Sequence, residues 1–192
     1  MTLLRNHFLA VLLLLIGSTG SALADPYKDT LKTFKEAGAS STFFDTSYGY
    51  ALFPTIGKGG IGIGGAYGKG RVYKKGGAYA GDTSMKQVTV GWQLGGQGYS
   101  QIIFFEDERA FNEFTTGKFE FGAQATAVAI TAGASASTNT SGTSTSASGT
   151  KEHATTTGSY NKGMATFTVA KGGLMYEASI GGQKFSYKPK KN

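Results

Sequence analysis

Much of this chain alternates between apolar and polar positions with the period of a β-strand. From Val88 to Leu94 every second residue is apolar, which predicts a half-buried strand with Val88, Val90, Trp92 and Leu94 on one face. Residues 102–105 are all apolar, a pattern typical of a strand covered on both faces. Two Gly-Gly pairs separate the last three strand-like runs and predict tight hairpins between residues 164–170, 174–180 and 183–187.

A short amphipathic helix is predicted for residues 26–37, ahead of the first strand. Its apolar side carries Tyr27, Leu31 and Phe34, and Gly38 suits its end. A second side carries Lys28, Lys32 and Lys35. This pattern fits a helix packed on a sheet, and it also fits a helix lying in a membrane interface.

Glycine dominates the segment from residue 57 to residue 77, where it occupies ten of 21 positions. Read as a strand, the segment has one nearly bare face, formed by Gly60, Gly62, Gly64, Ala66, Gly68 and Gly70. The other face carries Ile61, Ile63, Tyr67, Lys69, Arg71 and Tyr73. A bare face indicates close packing in a curved sheet or the close approach of a ligand to the backbone.

These patterns together predict a mainly β (α+β) fold. We expect a curled, barrel-like, antiparallel, glycine-rich sheet with the short N-terminal helix and one inserted helix, which Asp107 caps and which runs through Thr116. Residues 25–42 form the N-terminal helix and linker, and residues 43–192 form the sheet domain. Residues 135–157 are almost entirely Ser, Thr, Ala and Gly, which predicts a flexible loop within that domain.

The N terminus has the features of a secretory signal peptide. Arg5 precedes an apolar run at residues 8–16, and Ala22-Leu23-Ala24 matches a cleavage site, so residues 1–24 are expected to be removed after Ala24. The chain has no cysteine, hence no lipoprotein anchor, and no later run approaches the roughly 20 apolar residues of a membrane-spanning helix. A periplasmic or secreted protein is expected.

The net charge and the motifs of the sequence indicate which classes of function the chain can have. Without the signal peptide the chain has 18 basic and 12 acidic residues, a net charge of +6 that favours anionic partners. The sequence contains no helix-turn-helix or zinc-finger pattern of the kind that binds nucleic acid. An anionic lipid or glycan is therefore a better partner for an exported protein. Gly60 to Gly65 matches the G-x-G-x-x-G pattern of dinucleotide-binding sites, but the glycine-rich segment after it cannot form the helix that such a site needs. The lone histidine of the mature part, His153, lies in the Ser/Thr-rich loop, where no neighbour would hold it for catalysis. We therefore expect no enzyme activity, metal or cofactor.

Three sequence blocks, at residues 49–54, 57–70 and 91–100, resemble the SYLF domain, also called the Ysc84 or DUF500 family. The resemblance covers nearly all of residues 43–187. It implies a lipid-binding module, which binds phosphoinositides in eukaryotic relatives and is tied to actin regulation in some of them.

The positive charge favours an anionic partner, and the resemblance implies a non-enzymatic module that contacts anionic, phosphoinositide-like lipid headgroups at a membrane surface. We expect the glycine strand and its turn to bring the contacts together on an exposed strand edge, formed by Lys69, Arg71, Lys74 and Lys75 with Tyr67 and Tyr73 beside them. The helix lysines Lys28, Lys32 and Lys35 are a second candidate surface. Lysines also protect exposed strands, so the alternative is a soluble envelope scaffold or a protein-interaction domain without a lipid ligand. The sequence names no protein partner.

Overall fold

The computed structural model describes residues 25–91, 97–130, 158–171 and 179–191. Its helices are α1 (Pro26–Glu36), α2 (Gly38–Ser41), α3 (Phe43–Thr46) and α4 (Glu108–Thr115). Its strands are β1 (Gly49–Lys74), β2 (Ala78–Gly91), β3 (Gln97–Phe105), β4 (Val128–Ile130), β5 (Met164–Lys171) and β6 (Lys184–Pro189). The predicted signal peptide, the Ser/Thr-rich loop, Trp92, Leu94 and most of the predicted strand at residues 174–180 lie outside the described residues.

The strands form one sheet in the order β4-β5-β3-β1-β2-β6. The mainly β fold with short helices is thus confirmed. Neighbouring strands are antiparallel except β4 and β5, which are parallel, so the sheet is mixed rather than wholly antiparallel. Over the described ranges the sheet does not close into a barrel. Residues 119–126 instead run beside residues 179–183 and the start of β6, with bridges from Glu120 to Lys184 and from Thr126 to Ser179, and lead into β4.

Strand β1 folds back on itself, so its two halves lie side by side. The first half pairs with β3 and the second half pairs with β2. At the base, the Lys75 N–H donates to the Tyr48 carbonyl at 2.8 Å, and the rings of Tyr50 and Tyr73 stack at 5.1 Å. Gly60 has a φ of 143°, in the region that favours glycine, and it lies where the chain turns.

The glycine face of β1 is packed against the protein's own side chains. A Cβ built on Gly70 would lie 2.6 Å from Cδ1 of Phe53, closer than real Cβ contacts allow. On the same face Ala66 and Val72 are buried, whereas Tyr67 and Lys69 on the other face are exposed. For this part of the strand, close packing explains the bare face.

Both faces of the central strands are covered. On one face α4 packs Phe111 and Phe114 into a core that includes Phe53, Phe105 and Phe185. On the other face α1 and α3 contribute Phe34 and Phe43 to a second core with Leu52, Phe104 and Phe167. Ile103 and Phe105 belong to the first core and Ile102 and Phe104 to the second, which confirms that residues 102–105 are covered on both sides.

The alternation predicts that Val88 lies on the buried face of β2. This prediction is wrong, because the side chain of Val88 is 77% exposed. Met85 and Gln87 are buried instead, and Gln87 Nε2 donates to the Gly181 carbonyl at 2.8 Å. The register explains this result. Met85 and Gln87 pair with Gly68 and Ala66 on the glycine face, which leaves the room that these long side chains need.

A buried polar network lies between β3 and the residue preceding β6. Gln101 Nε2 donates to Gln183 Oε1 at 2.9 Å, and Gln183 Nε2 donates to the Tyr99 hydroxyl at 3.1 Å. Both glutamine side chains are fully buried. Because buried amides are costly unless they are hydrogen-bonded, this network ties the β6 end of the chain to the centre of the sheet.

Candidate functional site: a basic face of the sheet

Four of the predicted site residues share one face of β1. Tyr67, Lys69, Arg71 and Tyr73 alternate along the strand, so their side chains lie on the side away from the glycine face. Tyr67 and Lys69 are exposed, and Arg71 is half-buried. The prediction that these residues lie at an exposed edge of the sheet is wrong. Strand β1 lies between β3 and β2, and the outermost strands of the sheet are β4 and β6. The sheet continues past β2 because β6 pairs with that strand.

Lys74 and Lys75 do not join this group. Lys74 has the opposite parity and lies on the other face of the sheet, where its Nζ is 5.6 Å from the centre of the Phe111 ring in α4. Lys75 begins the single 3-10 turn Lys75–Gly77 that leads into β2. The expected cluster of four basic residues is therefore split by the alternation of the strand itself.

The sheet register instead places three other lysines beside Lys69 and Arg71. Tyr67 pairs with Lys86, which pairs with Lys184 on β6. Four residues further along β1, Arg71 pairs with Asp82, which pairs with Lys188. We call this surface the outer basic face, and its members are Lys69, Arg71, Lys86, Lys184 and Lys188.

Two carboxylates partly offset these charges. Asp82 lies opposite Arg71, and Glu120 Oε2 is 3.3 Å from Lys184 Nζ. Between the charged rows, Lys69 pairs with Ser84, whose hydroxyl oxygen is 2.7 Å from that of Ser186. The face thus presents ammonium, guanidinium and hydroxyl donors, the groups that bind phosphate and carboxylate oxygens.

Helix α1 packs beside the outer basic face. Phe34 is fully buried, so the helix is packed on the sheet as one of the two sequence interpretations expected. The guanidinium carbon of Arg71 lies 4.0 Å from the centre of the Tyr27 ring, a cation–π contact that joins the helix to β1. This contact makes the two predicted surfaces neighbours.

A groove of about 710 Å³ runs between α1 and the sheet. Lys28 and Lys35 line it together with Asp25 and Asp45. Aromatic rings form much of the remaining wall, namely those of Tyr27, Phe44, Tyr50 and Tyr73. Lys32 points elsewhere, since its Nζ is 3.8 Å from Glu36 Oε1 on the exposed side of the helix. Of the three helix lysines, two therefore face the groove.

The phenols of Tyr27, Tyr50 and Tyr79 stay protonated at neutral pH. Burial raises the pKa of Tyr50 to about 12, and burial with a hydrogen bond to Asp82 raises the pKa of Tyr79 to about 12. Burial also raises the pKa of Tyr27, although the nearby Arg71 opposes that shift. These three tyrosines act as neutral groups, and the positive charge comes from lysine and arginine.

Sequence patterns alone did not identify Lys86, Lys184 or Lys188. Each lysine shares one face of its strand with serine or aspartate. This pattern indicates that the face is exposed to solvent, but it does not show which strand lies beside it. Within the described part of the chain, no helix is long and apolar enough to cross a membrane. No group of three or more His, Asp or Glu side chains suited to a metal occurs among the same residues.

Comparison with known proteins places the chain in a family. Residues 86–192, more than half of the chain, match the family described as "Ysc84: Las17-binding protein actin regulator". A curated relative, Beta cell expansion factor A from Aeromonas veronii, is 31% identical over 158 residues, which cover 81% of this chain and 51% of the relative. The chain therefore spans about half the length of that relative. From the family match, which contains β3 to β6 and most residues of the outer basic face, the chain belongs to the Ysc84 (SYLF) family.

Proposed function

We propose that this protein is a non-enzymatic module that binds anionic, phosphoinositide-like lipid headgroups at a membrane surface through its outer basic face. One observation carries the proposal: three adjacent strands present five basic side chains on one solvent-facing surface, against two carboxylates. The family resemblance points to the same class of ligand. The signal-peptide pattern at residues 1–24 supports a periplasmic or secreted location for this activity.

Charge alone gives this face only weak affinity. After the two carboxylates are subtracted, three positive charges remain, and each is worth about 1 kcal/mol near an anionic bilayer. About 3 kcal/mol falls short of the roughly 4 kcal/mol that corresponds to a millimolar dissociation constant. The neighbouring groove adds no net charge, because Asp25 and Asp45 line it beside Lys28 and Lys35, so apolar contacts with the bilayer must supply the rest.

Co-sedimentation of the signal-free chain with vesicles tests the proposal. The parent should pellet with vesicles that contain phosphatidylglycerol or a phosphoinositide and remain in solution with phosphatidylcholine vesicles. The test variant replaces Lys69, Lys86 and Lys188 with Gln. The control variant carries the same loss of charge on other parts of the surface, through replacement of Lys74, Lys118 and Lys162 with Gln.

We expect the test variant to lose most vesicle binding and the control to retain it, while both keep the parent's melting temperature because exposed charges contribute little to stability. Binding by the parent should weaken as salt rises to physiological strength, where the Debye length is about 8 Å. Equal losses in both variants would reduce the effect to net charge and refute this face as the site. A third variant with Gln at Lys28, Lys32 and Lys35 shows how much α1 contributes. If the parent binds no anionic vesicle, the scaffold or protein-interaction alternative replaces the lipid proposal.

A further inference from the structure

The outer basic face ends in an exposed apolar patch. Ile63 is 72% exposed, Val88 is 77% exposed and Tyr67 is 48% exposed, and these are the large hydrophobic side chains left exposed in the described part of the chain. All three lie on one side of the β1–β2 pair. Val88 pairs with Gly65, so it is a diagonal neighbour of both Ile63 and Tyr67, at a Cα separation of about 7–8 Å. We call these three residues the apolar tip.

The fold cannot bury the apolar tip. The opposite side of the same strands already holds the core, with Met85, Gln87 and Ala66 buried there. Shifting the register by one residue would bring Val88 inside, but it would also expose Met85 and break the hydrogen bond from Gln87 to Gly181. Single exposed apolar residues are common, whereas a group of them beside a charged surface marks an interaction site.

Polarity changes in a fixed order along these strands. Of the three residues Ile63, Tyr67 and Lys69 on β1, Ile63 lies nearest the bend and Lys69 lies farthest from it. On β2, Val88 lies nearer the bend and Lys86 lies farther from it. Ile63 and Lys69 are about 20 Å apart along the strand at about 3.3 Å per residue. A bilayer has the same order of polarity, from hydrocarbon through the interface where tyrosine is enriched to the phosphates.

We propose that the apolar tip inserts into an anionic bilayer, with Ile63 and Val88 at the boundary of the hydrocarbon, Tyr67 in the interface, and Lys86 and Lys69 against the lipid phosphates. This inference rests on the proposed function and adds to it the orientation and depth of binding. The charge around the tip argues against a second copy of the chain as the occupant, because pairing two such faces would bring their lysines together. An anionic bilayer complements both the apolar and the basic part.

A fluorescent label reports insertion directly. Because the chain has no cysteine, Ile63→Cys provides one attachment point for an environment-sensitive fluorophore, and Asn112→Cys on the exposed side of α4 provides a matched control on the opposite face. Both labelled proteins are mixed with phosphatidylglycerol vesicles. We expect a blue shift, and quenching by lipids with brominated acyl chains, for the label at position 63 and neither effect at position 112.

A second experiment measures what the tip adds to binding. Ile63→Ser combined with Val88→Ser should weaken partitioning into phosphatidylglycerol vesicles at least about tenfold, since burial of one such side chain is worth roughly one tenfold step. The remaining binding should depend more steeply on salt, because only the charges contribute. Ile63→Leu combined with Val88→Leu should retain the parent's affinity. Melting temperatures should stay unchanged, as the replaced side chains are exposed.

The outcomes separate this inference from the proposed function. If the parent binds but the serine variant binds equally well and the label at position 63 shows no shift, insertion is refuted while headgroup binding stands. If the parent binds no anionic vesicle, both fail. If the parent self-associates without lipid and the serine variant is monomeric, the tip is a contact between copies and the insertion proposal is overturned.

Discussion

Gly70 provides the sharpest test of how β1 folds back on itself. A methyl group at this position would lie 2.6 and 2.7 Å from two ring carbons of Phe53 and 2.8 Å from the Leu52 carbonyl oxygen. Real Cβ contacts are not found below 3.0 Å, so the neighbours would have to move. Phe53 is fully buried and its ring lies 5.7 Å from that of Phe185, and Leu52 contributes a backbone atom. We therefore expect Gly70→Ala to strain the core.

Gly57→Ala is the matched control on the same strand. A Cβ at Gly57 would have nothing within 4 Å, so this variant measures the intrinsic effect of replacing glycine in a strand. That effect favours alanine by about 0.5–1 kcal/mol and applies to both variants. Their difference isolates the overpacking, which typically costs about 1–3 kcal/mol.

Equilibrium unfolding in urea measures that difference. With a slope of about 1–3 kcal/mol per molar urea, an overpacking cost of about 1–3 kcal/mol should place the midpoint of Gly70→Ala roughly 0.3–3 M below that of Gly57→Ala. The slopes should agree, because both variants unfold to the same chain. Equal midpoints would mean that Phe53 does not pack over Gly70, and the description of β1 as two adjacent halves would then be wrong.

Two further predictions concern buried side chains. Gln183→Leu should lower the free energy of unfolding by about 1–3 kcal/mol, because it leaves the Gln101 amide and the Tyr99 hydroxyl without a partner. The double variant, Gln101→Leu with Gln183→Leu, should lose less stability than the sum of the two single variants. Additive losses in this double-mutant cycle would rule out the network. Burial raises the pKa of Tyr50 to about 12, so the native state holds the phenolic proton more tightly than the unfolded chain does. This contribution to stability is complete below the ordinary tyrosine pKa of about 10 and is lost as the pH rises through 12. Between these pH values the stability of Tyr50→Phe should therefore fall less than that of the parent. Equal losses in both proteins would contradict the raised pKa of Tyr50.

Local sequence patterns were sufficient for the elements whose signal lies within the element. Residues 102–105 are uninterruptedly apolar, and each of their faces meets a core. Asp107 caps α4 as predicted, with its carboxylate accepting from the Ala110 N–H at 2.8 Å. The bare glycine face of β1 predicted close packing or the close approach of a ligand, and at Gly70 the ring of Phe53 supplies the close packing. Propensity, capping and alternation are short-range effects, so they can be read without knowing the partners of a strand.

Alternation does not say which face of a strand is buried or which strand lies beside it. Val88 is exposed and its neighbour Gln87 is buried because the glycine face of β1 has room for long side chains, a fact that depends on the pairing of β2 with β1. The outer basic face exists only because Lys86 pairs with Lys184, nearly one hundred residues away. Lys74, adjacent to Tyr73 in sequence, is on the opposite side of the sheet. Side-chain composition thus determined the strands and their two faces, whereas long-range register, which depends on the packing of the whole sheet, decided which charges form one surface.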